Sequence, residues 1–260
     1  MKYLKQKNLH ERDPKLSFDE NLHQYTYNEN QILTSVTTVI AEFFPVFNPD
    51  NVIKKMKSNK ASWRKNKLYG MTDDEIKETW KLAGQYASNE GSRLHEDIEK
   101  YYNYERTMND SIEFQFFLNF QKENQLNMYR TEWSIYNEDS SIAGTIDGAA
   151  LTGRKDKDGK IEIVLYDWKR TKQIQRNNCY SYSTFPELKH LNDNNYTKYS
   201  LQLNMYRYIL ESKYDQYVVK DMYLVCFHPN NKNNDYLLYS VPKLDKEIEI
   251  IVNHFKKKNI

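Results

Sequence analysis

The sequence predicts an α/β fold, with helix and strand signals in the order α-β-β-β-α-β between residues 92 and 227. Three observations carry this. Leu94, Ile98, Tyr101 and Tyr102 in residues 92–104 recur at helical spacing and form one apolar stripe. From residue 129 the period changes. Residues 129–136, 142–151 and the run Ile161-Glu162-Ile163-Val164-Leu165-Tyr166 read as strands, joined through residues 137–141 and the Asp158-Gly159 turn. Residues 199–211 then return to a helical pattern, and 218–227 form an apolar strand.

Flanking elements follow from local chemistry. Residues 18–33 alternate around Asn28-Glu29-Asn30 and read as a hairpin; Ser35 caps a short helix that runs to Phe44 and stops at Pro45. Asn48-Pro49-Asp50 supplies an N-cap, a proline at the first helical position and an acid in the first turn, and Thr72-Asp73-Asp74-Glu75 is a capping box. Gly91 is expected to interrupt the helical pattern ahead of residues 92–104, and another helix spans 112–125. Residues 173–196, rich in Asn and Tyr, are long for a passive connector and suit a substrate-facing loop. An edge strand at 236–241 and an amphipathic helix at 244–258 close the chain, which has no internal repeat. The expected organisation is one compact domain overall: a hairpin and mostly helical elaboration in 1–90, packed on a core in 91–260.

Composition narrows the chemistry. Across 260 residues, 39% hydrophobic and 28% charged content predicts a water-soluble chain, and no apolar run is long enough for a membrane span. Residues 1–7 carry charge without an apolar h-region, so no secretory signal is expected and the location is read as intracellular, in the cytoplasm or in a host cell if the source is viral. Cys179 and Cys226 are too few for a disulfide framework, a four-cysteine zinc site or an iron–sulfur cluster, so any metal must be held by oxygen and imidazole. The net charge of +2 implies no polyanion partner by itself, whereas 22 tyrosines offer surfaces for stacking on unpaired bases or for ordinary packing.

Asp167-Trp168-Lys169 closes the Ile161 run and puts a carboxylate and an ammonium at the end of a buried strand. Residues two apart in a strand share a face, so Asp167 and Lys169 point the same way. Such a pair serves metal-dependent phosphodiester hydrolysis, and it equally suits a strand that ends in a surface salt bridge. Asp147, within Gly144-Thr145-Ile146-Asp147-Gly148, is a carboxylate between apolar neighbours, either a ligand or a turn-proximal acid. His95 and Glu99 lie four apart on one helical face, as a metal-steering pair or a surface pair. Gln202 and Tyr206 are also four apart, on a helix whose Leu203 and Leu210 imply burial.

In this order, Gly91-x-x-x-His95, Gly144-x-x-Asp147, Asp167-x-Lys169 and Gln202-x-x-x-Tyr206 resemble the RecB-type branch of the PD-(D/E)XK nuclease superfamily. Leu33-Thr34-Ser35-Val36-Thr37-Thr38 also resembles the Ser-Val-Thr stretch that opens many viral, phage and mitochondrial exonucleases of this type. The resemblance implies a restriction-endonuclease-like core with a mixed central sheet flanked by helices. It implies that His95, Asp147 and Asp167 hold one or two Mg²⁺ or Mn²⁺ ions, that Lys169 orients the attacking water, and that Gln202 and Tyr206 buttress the site and touch the nucleic-acid backbone. Glu132 matches the acid that often precedes Gly-x-x-Asp, and Arg170 and Lys172 would extend a phosphate track. The implied activity is a deoxyribonuclease, an exonuclease on single strands or DNA ends in replication, recombination or repair, with metal-activated water as nucleophile. A helicase or recombinase would be a separate partner, because no helicase motif is present. An endonuclease on DNA or RNA and a catalytically silent nucleic-acid-binding module share the same core. Ser–His–Asp and phosphate-loop chemistry lack their Gly-x-Ser-x-Gly and Gly-x-x-x-x-Gly-Lys patterns.

Overall fold

Strand β5 (Ile142–Lys155) is the element on which the sheet is built. One of its edges pairs antiparallel with β4 (Met128–Asn137), from Asn137↔Ile142 to Met128↔Ala150. The opposite edge is shared by two strands. At its start β3 (Gln31–Ser35) pairs parallel through Thr34↔Ile142 and Ser35↔Ala143. Further on, β6 (Ile161–Lys169) pairs antiparallel from Gly148↔Tyr166 to Lys155↔Ile161. Residues 144–147 lie between the two, and among the described residues no strand pairs with that stretch of edge. β6 runs on past the divergence and keeps its parallel pairing with β7 (Tyr217–Cys226) through Asp167↔Leu224 and Lys169↔Cys226. Parallel neighbours need a crossover, and α7 (Asn195–Lys213) lies within this one. β8 (Leu237–Ser240) pairs with β7, and β1 (Leu16–Asp19) and β2 (Gln24–Tyr27) extend the sheet beyond β3, making a mixed sheet of eight strands.

The computed structural model describes residues 2–176 and 181–258; residues 177–180, which include Cys179 and part of the segment read as a substrate-facing loop, lie outside the described residues. Helices flank both faces of the sheet. Ile142, Ile146, Ile163 and Leu165 bury against Leu203 and Leu210 of α7, Val36 and Val39 of α2 (Val36–Ala41), and Ile251 and Phe255 of α8 (Asp245–Lys258). On the other face Tyr166, Trp168, Val225 and Phe227 meet Leu94 and Ile98 of α5 (Asp73–Tyr102) and Phe117 and Phe120 of α6 (Ile112–Asn124). The alternation of β6 therefore sends Trp168 into one core and Asp167 toward the other face. No described helix is long and apolar enough to cross a membrane.

Several local expectations hold at atomic detail. Ser35 Oγ accepts from Thr38 N at 3.1 Å, Asn48 Oδ1 from Asn51 N at 3.0 Å, and Thr72 with Glu75 forms the reciprocal box at 2.7 and 3.3 Å. Others change. The N-terminal hairpin is three strands, because Asp19 Oδ1 accepts from Asn21 N and Leu22 N and turns the chain once more between β1 and β2. Gly91 does not interrupt the helix: α5 runs 30 residues through Gly84 and Gly91, whose missing side chains face open space. α7 starts earlier than expected, at Asn195, since Asn194 Oδ1 caps Thr197 N at 2.8 Å. The chain divides into two units, Met1–Pro45 with Leu94–Ile260 and Val46–Arg93, rather than at residue 90. Residues 1–45 belong with the sheet because β3 pairs with β5. Val46–Arg93 is helical, with α3 (Pro49–Ser58), α4 (Lys60–Trp63) and the first part of α5.

Two glycines show opposite constraints. A Cβ at Gly148 would stand 2.8 Å from Trp168 Cζ2, whereas one at Gly91 meets nothing within 4 Å. Gly91→Ala should therefore stabilise its helix by about 1 kcal/mol, and Gly148→Ala should destabilise the sheet by about 1–3 kcal/mol. Urea unfolding followed by circular dichroism and tryptophan fluorescence checks both signs.

Candidate active site

The divergence of β5 and β6 decides where the polar groups go. On β6, Lys169 O accepts from Phe227 N at 2.9 Å, so the peptide groups of Lys169 face β7 and those of Trp168, one residue earlier, face β5. The β5 ladder has already ended at Gly148↔Tyr166. The buried N–H and C=O of Trp168 must find other partners, and side chains supply them. Trp168 N donates to Asp147 Oδ2 at 2.8 Å, and His95 Nε2 donates to Trp168 O at 2.8 Å. One peptide edge thus positions a carboxylate from β5 and an imidazole from α5.

With Nε2–H committed to a carbonyl, the Nδ1 of His95 faces the acids, 3.4 Å from Glu132 Oε1 and 3.7 Å from Asp147 Oδ2. Burial pulls the His95 pKa down, yet Asp147 and Glu132 outweigh it and raise it to about 9. Burial pushes the Asp147 carboxyl up, against His95 and Lys169, which favour its charged form. Glu132 reaches this group by an unusual backbone. Its φ is +44° in the middle of β4, between the pairs Thr131↔Gly148 and Trp133↔Ile146. A left-handed non-glycine residue costs on the order of 1–2 kcal/mol and turns the side chain out of the strand's alternation. Ligand atoms of His95, Glu132 and Asp147 all lie within 4.8 Å of one another and could hold a cation. A cavity of about 620 Å³ opens on Glu132, lined also by Ser134, Tyr25 and Thr145, and Thr145 Oγ1 bonds Tyr25 Oη at 2.9 Å and Ser134 Oγ at 3.0 Å.

Asp167 and Lys169 share a face, as strand alternation requires, with Lys169 Nζ 2.8 Å from Asp167 Oδ2 and 4.5 Å from the centre of the Tyr199 ring. Asp167 is 1% exposed, and its Oδ1 accepts no hydrogen bond among the described residues. Burial raises its pKa to about 7; Lys169 opposes the rise and Asp147 adds to it. Burial favours a neutral Lys169, but Asp167 and Asp147 hold the ammonium firmly charged. The surface salt bridge that the sequence left open is therefore not what Asp167 and Lys169 form. Their pair is buried, beside a second carboxylate.

Gln202 Nε2 donates to Tyr206 Oη at 2.9 Å, and Tyr206 packs so closely on β5 that a Cβ at Gly144 would be 2.5 Å from its Cε1. Burial raises the Tyr206 pKa, so the group stays a neutral hydroxyl. Arg170 is engaged elsewhere: its Nε and Nη2 lie 2.7 and 2.6 Å from Glu113 Oε1 on α6, and both side chains are 10% exposed. Lys172 is exposed. Glu99, four residues from His95, is outside the group and faces Lys2 at 3.6 Å. Sequence reasoning missed Tyr199, although it stands three and seven residues before Gln202 and Tyr206, on their face of α7.

No protein-family model matches the chain. No curated protein matches it either. A solved structure described as the crystal structure of SSO0001 is similar over 87% of this chain and 75% of its own, at 12% identity and a TM-score of 0.33.

The buried acid has a measurable signature. The Asp167 pKa rises from 3.8 to about 7 on folding, so its contribution is present below the unfolded value and is lost as pH climbs through 7. His95, raised from 6.5 to about 9, continues the loss on the alkaline side. In chelator, wild-type stability should fall across the Asp167 window, and Asp167→Asn should flatten that limb. Denaturant titrations at several pH values read the difference; parallel curves for the two proteins would refute the assignment.

Proposed function

We propose that the protein is a divalent-metal-dependent deoxyribonuclease with a restriction-endonuclease-like core, of the RecB-type branch of the PD-(D/E)XK superfamily. The observation that carries this is a charge balance. Glu132 and Asp147 meet at His95, with ligand atoms within 4.8 Å of one another, and the Asp167–Lys169 pair lies next to Asp147 outside that group, so three acids face one permanent cation, Lys169. A divalent cation offsets the surplus of carboxylates. The element order supports the same reading: α5, which carries His95, is followed by β4, β5, β6, α7 and β7 in the α-β-β-β-α-β sequence of that core, with α6 as an additional helix between α5 and β4.

The donor set fits Mg²⁺ or Mn²⁺. His95 Nδ1, Glu132, Asp147 and the unpartnered Asp167 Oδ1 would hold one or two ions, as hard oxygen ligands with a single imidazole. Trp168 O fixes the His95 tautomer, which is what a ligating imidazole needs from its surroundings. When bound, the metal supplies polarisation of a phosphoryl oxygen and a lowered pKa for water. The chain's own residues do the rest. Lys169, held by Asp167 and backed by Tyr199, presents a fixed positive charge to the attacking water and the phosphate. Gln202 and Tyr206 brace β5 behind Asp147 through the space that Gly144 leaves open. No covalent intermediate is required.

The substrate is DNA, attacked from single strands or ends as an exonuclease in replication, recombination or repair, with strand opening left to a separate helicase or recombinase inside the cell. Asp147→Ala and Asp167→Ala should abolish Mg²⁺- or Mn²⁺-dependent cleavage of end-labelled linear DNA. Lys169→Ala should lower turnover about 10²-fold or more while leaving binding nearly intact. Full cleavage by Asp167→Ala would overturn the reading, and cleavage of circular DNA would make the enzyme an endonuclease.

A further inference from the structure

Residues 46–93 carry the whole positive surplus of the chain. They hold ten Lys and Arg against six Asp and Glu, a charge of +4, and the remaining residues sum to −2. The surplus is concentrated further. No acid occurs between Asp50 and Asp73, an interval with seven cations. Lys57 pairs with Asp73 at 2.5 Å, and the other six, Lys54, Lys55, Lys60, Arg64, Lys65 and Lys67, are exposed. Six uncompensated cations within fourteen residues repel one another, so the arrangement favours a polyanion in contact with them.

Two features select the kind of polyanion. The apolar side of α3 is already used: Ile53 is fully buried with Leu68 and Ile76, and Met56 and Trp63 pack on them. No large apolar side chain of α3 itself is exposed, as a membrane-binding amphipathic helix requires, although Val46 and Phe47 just before it are 91% and 68% exposed, so binding to vesicles decides for or against lipid. Tyr69 is 55% exposed and is held edge-on by Trp63, with ring centres 5.9 Å apart, beside the last of the cations. An exposed aromatic ring fixed two residues after Lys67, within this cation-rich stretch, matches unstacked bases on a phosphate backbone.

We propose that this face of Val46–Arg93 binds single-stranded nucleic acid without divalent metal, the six cations tracking the phosphates and Tyr69 stacking on a base. Fluorescence anisotropy of the full chain with a labelled oligothymidylate, in chelator and over a range of salt, reads the binding apart from any cleavage. In Lys60→Gln/Arg64→Gln/Lys65→Gln/Lys67→Gln the slope of log affinity against log salt should fall by about 3, with affinity at low salt down about tenfold or more. Tyr69→Ala should weaken binding about tenfold at an unchanged slope. Lys60→Arg/Lys65→Arg/Lys67→Arg should keep both slope and affinity, which separates lost charge from lost fold. A slope unaltered by removing four cations, or binding to phosphatidylserine vesicles in place of the oligonucleotide, would overturn the proposal. The outcome is independent of the nuclease reading. Binding as described by a protein that cuts nothing sinks only that reading, and cleavage with an unaltered slope sinks only this surface.

Discussion

The Trp168 peptide lies where β6 parts from β5, and its two hydrogen-bonding groups set the positions of Asp147 and His95. β6 must stay in the sheet to reach β7, yet its pairing with β5 ends two residues earlier, and a buried N–H and C=O left without partners would each cost about 1–3 kcal/mol. Asp147 and His95 answer those two groups, and in doing so they are brought together from different elements. β3 occupies the beginning of the same β5 edge that β6 leaves, and the glycines at 144 and 148 admit Tyr206 and Trp168 against the strand where larger residues would not fit.

The arrangement is electrostatically incomplete, and this links stability to function. Without a divalent ion, the surplus of carboxylates is offset by protons: one on His95, whose pKa is raised to about 9, and part of one on Asp167, raised to about 7. Both groups bind protons more tightly folded than unfolded, so their own contribution to stability is largest at low pH and is lost as the pH rises. A site that holds its charges this way contributes little to stability, and under the proposed function the same protons would give way to a cation. The strained backbone at Glu132 belongs to the same picture, since it aims a third carboxylate at a place already crowded with negative charge.

Much of this was legible in the sequence. Period changes located β4, β5, β6, α7 and β7, because buried strands and helices must repeat their apolar residues every two or every three to four positions. The shared face of Asp167 and Lys169 followed from the same rule, and the ordered motifs singled out His95, Asp147, Gln202 and Tyr206. What was not legible is non-local. Glu132 is expected from the resemblance, but the left-handed φ by which it reaches His95 is not, and Arg170 is claimed by Glu113, 57 residues away. The β3–β5 pairing, which brings residues 1–45 into the sheet, also depends on contacts distant in sequence. Gly91 misled because an isolated glycine weakens a helix by only about 1 kcal/mol, less than the surrounding helical pattern supplies.

If a divalent cation takes the place of protons at His95 and Asp167, ion uptake and proton release occur together. Calorimetric titration with Mn²⁺ near neutral pH, repeated in buffers of different ionisation enthalpy, measures the ion and the protons together. One high-affinity event that releases protons and disappears in Asp147→Asn is expected. Binding without proton release, or binding that Asp147→Asn leaves unchanged, would contradict it.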